Sequence, residues 1–122
     1  MSLVRLLLVE DEARIASFVK RGLGAAGFAV DWVTTGAEAL EHVQGPYPDR
    51  PDLVVLDLGL PDIDGLDVLA TLRAGGWERP VIVITARTKA ADRARAVELG
   101  VDHYFTKPFS IAELVACLPR AG

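Results

Sequence analysis

Residues 53–65 read LVVLDLGLPDIDG, and the interpretation of the whole chain starts from this stretch. Its first four residues are branched and apolar, which is typical of a strand buried on both faces of a parallel sheet. Asp57 ends that run, and a loop with Gly59, Pro61 and Gly65 follows. In an open α/β sheet, ligands bind in the crevice outside the carboxyl ends of the strands. Asp57 therefore lies where chemistry is expected, although on this stretch alone an aspartate that only shapes the turn is an open alternative.

The composition indicates one globular domain that covers residues 1–122. The chain is 51% hydrophobic and 25% charged, a usual balance for a protein that buries a core. Its 17 acidic and 13 basic residues give a formal net charge of −4, which argues against a surface that itself binds nucleic acid. The single cysteine, Cys117, excludes an internal disulfide and fits a reducing compartment. Because no leader and no apolar run of membrane length is present, we expect a cytoplasmic domain.

Short apolar runs alternate with segments of helical periodicity along the rest of the chain. The predicted strands are Val4–Val9, Phe28–Val33, Leu53–Leu56, Val81–Ile84 and His103–Phe105. The predicted helices are Ala13–Ala26, Ala37–Val43, Leu66–Arg73, Lys89–Leu99 and Ile111–Leu118, and Gln44–Pro51 is a proline-rich loop. Five strands that alternate with five helices predict an α/β fold with a doubly wound, five-stranded parallel sheet of the flavodoxin-like kind.

Four of the predicted strands end in residues that can support chemistry. Glu10 and Asp11 follow the first strand, Asp57 follows the third, Thr85 ends the fourth, and Lys107 follows the fifth. The carboxyl ends of parallel strands share one edge of the sheet, so we expect these side chains to converge. Taken singly, each has a plainer explanation, because acidic residues favour helix N-termini and most lysines are solvated.

Taken together, these residues describe a site for phosphoryl transfer onto a carboxylate. Three carboxylates at one edge repel one another unless a cation neutralises them, and a hard divalent ion such as Mg²⁺ prefers oxygen ligands. The lysine and the threonine hydroxyl can then donate to an anion beside the metal. Charge on a transferring phosphoryl group would be stabilised from several sides.

From about Val4 to Leu118, the chain resembles the receiver domains of two-component response regulators. Four motifs carry the resemblance: Val9-Glu10-Asp11, Leu56–Asp62, Thr85-Ala86 and Tyr104–Phe109. The last motif resembles most the receivers that are joined to winged-helix DNA-binding domains.

The resemblance implies a role for each residue of the acidic edge. It identifies Asp57 as the phosphoacceptor. It implies that Asp11, Asp57 and the backbone carbonyl of Gly59 bind Mg²⁺, or another divalent ion such as Mn²⁺, and that Glu10 acts largely through bound water. It also implies that Lys107 pairs with Asp57 before modification and with a phosphoryl oxygen afterwards.

Residues around the acceptor are expected to switch and to control access. The resemblance implies that Thr85 moves to bond a phosphoryl oxygen and that Tyr104 swings inward behind it. It implies that the small Ala86 leaves room for the donor, and that the peptide bond before Pro108 is cis. Arg87 is two residues past the threonine, and we expect its guanidinium to lie across the phosphoryl group and shield it from water, since Gly59 offers no group that orients water.

The predicted function is a signalling switch rather than a conventional enzyme. A partner histidine kinase would donate a phosphoryl group to Asp57, and the domain would catalyse its own phosphorylation and slow dephosphorylation. The output would be transcription through a DNA-binding effector domain outside this chain, without membrane contact. The alternative is a stand-alone receiver that acts by protein contact or as a phosphorelay intermediate. A homodimer through the last two helices is a further expectation, although Cys117 replaces an interface arginine of such relatives and only Arg120 could substitute.

Two other classes of function occur on the same fold. A nucleotide or flavin binder needs a glycine-rich or hydroxyl-rich loop after the first strand, where Glu10-Asp11-Glu12 would repel phosphate. A hydrolase with an aspartyl-phosphate intermediate usually has a second acid two residues after the nucleophile, and Gly59 occupies that position. Both alternatives are therefore disfavoured.

Overall fold

Strands and helices alternate along the chain in a computed structural model that describes residues 3–45 and 50–119. The strands are β1 Arg5–Val9, β2 Ala29–Val33, β3 Leu53–Leu56, β4 Val81–Thr85 and β5 His103–Thr106. The helices are α1 Ala13–Ala25, α2 Gly36–Gln44, α3 Gly65–Ala74, α4 Ala90–Glu98 and α5 Ile111–Ala116. Within these residues, no helix is both long and apolar enough to cross a membrane.

The five strands form one parallel sheet in the order β2-β1-β3-β4-β5. This order confirms the predicted doubly wound α/β fold. The chain reverses direction of winding between β1 and β3, which are neighbours in the sheet. Val9 pairs with Leu56 at the end of that ladder, and the Asp57 amide donates to the Val9 carbonyl at 2.9 Å. The ends of β1 and β3 are thereby brought side by side, which is where open α/β sheets bind ligands.

Two apolar layers enclose the sheet because the side chains of each strand alternate between its faces. Leu7 and Val9 of β1 face a layer with α2, α3 and α4, and Leu6 and Leu8 face a layer with α1 and α5. These four side chains are fully buried. Since each such side chain contributes about 1.5–3 kcal/mol when buried, the central strands hold the sheet edge that they carry in a fixed position.

Most helix ends follow their predicted signals. Gly27 follows α1 with φ 96°, and Gly100 follows α4 with φ 76°, a conformation that glycine adopts without strain. Ser110 caps α5 by accepting a hydrogen bond from the Glu113 amide at 3.3 Å. The Lys107–Pro108 peptide bond is cis, as the family resemblance implied.

Two predicted boundaries are corrected by the structure. The helix α5 ends at Ala116 rather than Leu118, because the residue before Pro119 is sterically biased away from helical geometry. The helix α2 runs from Gly36 to Gln44, so Gln44 is helical rather than part of the predicted proline-rich loop. Residues 46–49 of that loop lie outside the described part of the chain.

Candidate functional site

Three carboxylates meet at the carboxyl edge of the sheet. Glu10 and Asp11 follow β1, Asp57 follows β3, and each offers an oxygen within 4.8 Å of the others. Glu10 is fully buried and Asp57 is 3% exposed, whereas Asp11 is exposed. The pairing of β1 with β3 therefore brings together the acidic residues that the sequence placed on separate strand ends.

Lys107 neutralises part of this acidic cluster from the loop after β5. Its Nζ lies 2.7 Å from Glu10 Oε1, 3.1 Å from Asp57 Oδ2 and 3.4 Å from Glu12 Oε1, and its side chain is only 11% exposed. Burial lowers the pKa of Lys107, but the Glu10 hydrogen bond and the Asp57 charge outweigh burial and raise it above its ordinary value. The lysine is therefore a fixed cation. The contact between Lys107 and Glu12 is not predicted from the sequence.

Glu10 is the member of the cluster whose ionised form is disfavoured by its surroundings. Burial raises the pKa of the Glu10 carboxyl to about 7, and the Asp57 carboxylate adds to this effect against the opposing Lys107 ammonium. The Glu12 amide donates to Glu10 Oε2 at 3.1 Å. Glu10 Oε1 contacts the Lys107 ammonium at 2.7 Å, and Asp57 shares that ammonium. Three carboxylates around this one lysine keep an excess of negative charge, which fits a hard divalent cation with oxygen ligands.

Asp57 is held through both of its carboxylate oxygens. Oδ1 accepts a hydrogen bond from the Gly59 amide at 3.1 Å, and Oδ2 accepts one from Lys107 at 3.1 Å. Gly65, the first residue of α3, packs directly on this segment. A Cβ at Gly65 would collide with the Leu58 Cα and lie 2.7 Å from the Asp57 carbonyl oxygen. The close approach of α3 therefore requires glycine there and fixes the backbone of Asp57.

Thr85 and Ala86 lie at the neighbouring strand end. Thr85 is buried, and its Oγ1 accepts a hydrogen bond from the Arg87 amide at 3.2 Å. The Thr85 carbonyl accepts the Lys107 amide at 2.7 Å, which ties the end of β4 to the lysine loop. Ala86 is exposed and lines a cleft of about 420 Å³ that also reaches Lys107. The Thr85 backbone thus adjoins the lysine that contacts Glu10 and Asp57.

Tyr104 and Arg87 contact each other on the rim of the site. The Tyr104 hydroxyl donates to the Arg87 carbonyl at 3.2 Å, and the Arg93 guanidinium lies 5.4 Å from the centre of the tyrosine ring. The Arg87 guanidinium donates to the Leu58 carbonyl at 3.2 Å and pairs with Asp64 at 2.9 Å. Its predicted shielding of a phosphoryl group stays a prediction. Opposite charges on two adjacent strand-end loops were the only sequence signal for the pair with Asp64.

An apolar surface adjoins the site on the side of α1. The cleft of about 420 Å³ contains Ile15, Phe18 and Phe109. Phe18 is 52% exposed and also lines a second cleft of about 490 Å³, together with Arg14 and other residues of α1 and α5. A large exposed aromatic side chain beside a reactive group is a common feature of surfaces that bind other proteins.

Comparisons with known proteins agree with this arrangement. A family model described as "Response regulator receiver domain" matches residues 6–118. The transcriptional regulatory protein QseB of Escherichia coli O157:H7 is 41% identical over 116 residues, which cover 94% of this chain and 51% of QseB. The crystal structure of a CheY-like receiver domain protein from Methanospirillum hungatei superposes with a TM-score of 0.86 at 25% identity, covering 94% of this chain and 90% of that one.

A second solved structure is also similar to this chain. It is described as the Mn²⁺-bound form of response regulator Rcp1 and matches with a TM-score of 0.80 at 31% identity, covering 92% of this chain and 86% of that one. The chain spans about half the length of the curated relatives it matches.

Proposed function

The chain belongs to the response regulator receiver domain family, and from this premise we propose that Asp57 accepts a phosphoryl group from a histidine kinase in a Mg²⁺-dependent reaction. One observation carries the proposal. The buried Asp57 carboxylate shares a fixed ammonium, Lys107, with the buried Glu10 beside an exposed Asp11. This combination offers a nucleophile and cationic stabilisation for the group that it receives.

The ligands of the divalent ion would be Asp11, Asp57 and the Gly59 carbonyl, with Glu10 acting largely through water. The grouping of three carboxylates around the Lys107 ammonium supports this assignment. When bound, the ion would offset the repulsion among the carboxylates and the charge of the incoming phosphoryl group. Mn²⁺ or a similar ion would serve in its place, since its oxygen preference is similar.

In the transfer, an Asp57 carboxylate oxygen forms a bond to phosphorus while the phosphorus–nitrogen bond of the phosphohistidine breaks. The leaving imidazole takes the electron pair and is then protonated. Lys107, 3.1 Å from Asp57 Oδ2, stays charged and stabilises the phosphoryl oxygens. Ala86 leaves the approach open. Dephosphorylation would be a separate step, in which water attacks the phosphorus and the bond between phosphorus and Asp57 breaks. The Asp57 carboxylate leaves with the electron pair and inorganic phosphate is released, so the domain also catalyses its own slow dephosphorylation.

The kinase would approach along the apolar surface of α1. Phe18 is exposed there, and the cleft that contains it leads directly to Ala86 and Lys107. A partner helix that carries phosphohistidine would bury these apolar groups while it presents its phosphoryl group to Asp57.

Phosphorylation would change the surface formed by α4, β5 and α5. A phosphoryl group adds a charge of about −1.5 to −2, which favours new hydrogen-bond donors. Thr85 would supply one such donor and Tyr104 would follow it inward, so that α4, β5 and α5 adopt a second arrangement.

We also propose that residues 1–122 form the receiver of a longer cytoplasmic protein with a DNA-binding effector domain. The length of the relatives, including one named as a transcriptional regulatory protein, supports this output over a stand-alone receiver or a phosphorelay intermediate. A homodimer through the last two helices is part of the proposal. Its candidate arginine, Arg120, lies outside the described residues.

Labelling with a small phosphodonor such as phosphoramidate tests the central step. Intact-mass spectrometry should detect one phosphoryl group on the wild type with Mg²⁺ and none after chelation. Asp57→Asn should abolish labelling. Asp62→Asn is the matched control, because this carboxylate lies on the same loop but accepts the Gly36 and Ala37 amides instead. Persistent labelling of Asp57→Asn at another residue would exclude the assignment.

A further inference from the structure

We propose that Arg87 is a positioning residue that latches the β4–α4 loop to the β3–α3 loop and thereby opposes the switch in Thr85 and Tyr104. This inference rests on the proposed phosphorylation of Asp57. It gives the guanidinium a role that needs no contact with the phosphoryl group. The latch is the ion pair between Arg87 and Asp64, together with the Arg87 hydrogen bond to the Leu58 carbonyl.

Arg87 connects both predicted switch residues through its own backbone. Its amide donates to the Thr85 hydroxyl at 3.2 Å, and its carbonyl accepts from the Tyr104 hydroxyl at 3.2 Å. Any rearrangement that draws Thr85 toward Asp57 and turns Tyr104 inward therefore alters two hydrogen bonds of one residue. The side chain of that residue is held at the same time by the neighbouring loop.

The neighbouring loop is the fixed partner of the latch. Asp64 caps α3, because its Oδ1 accepts the Leu66 amide at 2.9 Å. Gly65 packs on the backbone of Leu58 and Asp57 without room for a side chain. Earlier in the loop, Asp62 accepts two amides at the start of α2. Because the β3–α3 loop is pinned at these points, displacement of the β4–α4 loop must break the pair with Asp64 instead of carrying Asp64 along.

The far end of α4 is anchored separately. Arg73 of α3 donates to the Leu99 carbonyl at 2.9 Å and to the Gly100 carbonyl at 3.0 Å, directly after α4. Between its ends, α4 buries a single residue, Ala96. Release of Arg87 would therefore free the N-terminal end of α4 while its C-terminal end stays attached to α3.

Beryllofluoride with Mg²⁺, a mimic of the phosphoryl group, provides the test. Arg87→Gln and Asp64→Asn should each bind it about two- to fivefold more tightly than the wild type, the scale of a partly exposed ion pair. Asparagine still caps α3, so Asp64→Asn removes the charge and keeps the cap. If the pair is the latch, the double variant should bind no more tightly than either single variant.

Two-dimensional NMR of the backbone amides supplies a readout that general loss of stability does not produce. In the unliganded single variants, the Thr85 and Tyr104 amide signals should lie part of the way from the wild-type position toward the beryllofluoride-saturated position. Arg79→Gln is the matched control. It removes an exposed arginine that pairs with Asp52 at 2.8 Å before β4, far from the site. Its affinity and its spectrum at these two residues should be those of the wild type.

The outcomes separate the two proposals. If the wild type does not bind beryllofluoride, the proposed phosphorylation of Asp57 is wrong, and the latch falls with it. If the wild type binds but Arg87→Gln and Asp64→Asn bind with unchanged affinity and spectra, only the latch is wrong. If Arg87→Gln binds more weakly and Asp64→Asn does not, the guanidinium contacts the phosphoryl group, as in the shielding prediction, and the latch is overturned.

Discussion

The central strands and the α4–β5–α5 side of the molecule differ in how deeply their residues are buried. In β3 and β4 every residue is buried, and α3 buries five residues against them. In β5 no residue is buried, and α4 and α5 bury one residue each. Hydrophobic packing fixes the strand ends that carry Asp57. The other side packs against the core through partly buried side chains such as Phe105 and Ile111. Polar contacts of Arg87, Arg73 and Tyr104 add to this shallower packing, so this side can rearrange at a smaller free-energy cost.

The comparison can be tested most strongly by making one substitution on each side. Val83→Ala in β4 removes two methyl-sized groups from a fully buried side chain and should lower the free energy of unfolding by about 2–3 kcal/mol. Val97→Ala in α4 changes a side chain that is 62% exposed, so the free energy of unfolding should change by no more than about 0.5 kcal/mol. Urea unfolding measures both. Equal losses would show that α4 is packed as firmly as the sheet.

A pH titration tests how the buried carboxyl of Glu10 affects the free energy of unfolding. The folded-state pKa of Glu10, about 7, lies above its unfolded value of 4.5, so the folded protein binds this proton more tightly. Without metal, the free energy of unfolding should therefore fall as pH rises from about 4.5 to about 7, by up to about 3 kcal/mol. Glu10→Gln should remove most of this fall, as measured by urea unfolding with a chelator present.

Glu98→Gln is the control for that titration because Glu98 is an exposed residue of α4. Its pH profile should follow that of the wild type. A wild-type free energy of unfolding that rises through the same pH window would contradict the role assigned to the buried carboxyl of Glu10.

The smallest effect on the free energy of unfolding is expected for Tyr104, on the α4–β5–α5 side. Tyr104→Phe keeps the ring under Arg93 and removes only the hydrogen bond to the Arg87 carbonyl. The free energy of unfolding should fall by about 0.5–1 kcal/mol, the usual contribution of such a bond. Labelling of Asp57 by a phosphodonor should persist, because the hydroxyl lies outside the acidic cluster. Loss of labelling would show that phosphorylation of Asp57 depends on the Tyr104 hydroxyl.

The sequence by itself determined the fold and the membership of the site. Short branched runs such as Leu53–Leu56, bounded by turn residues, favour buried strands, and glycine or proline marks most of the turns between elements. Once the strands are parallel, their carboxyl ends must share an edge, so position along the chain places Glu10, Asp57 and Lys107 on that edge. Their contact depends in addition on the pairing of β1 with β3 in the sheet.

Tertiary structure alone decided the partners of the long, flexible side chains. Arg87 and Asp64 are 23 residues apart, and only the order of β3 and β4 in the sheet brings their loops together. The same holds for Glu12, which reaches Lys107 from 95 residues away. Periodicity places a residue on an element but does not orient four rotatable bonds, since that choice depends on which charges come within reach after the core has formed.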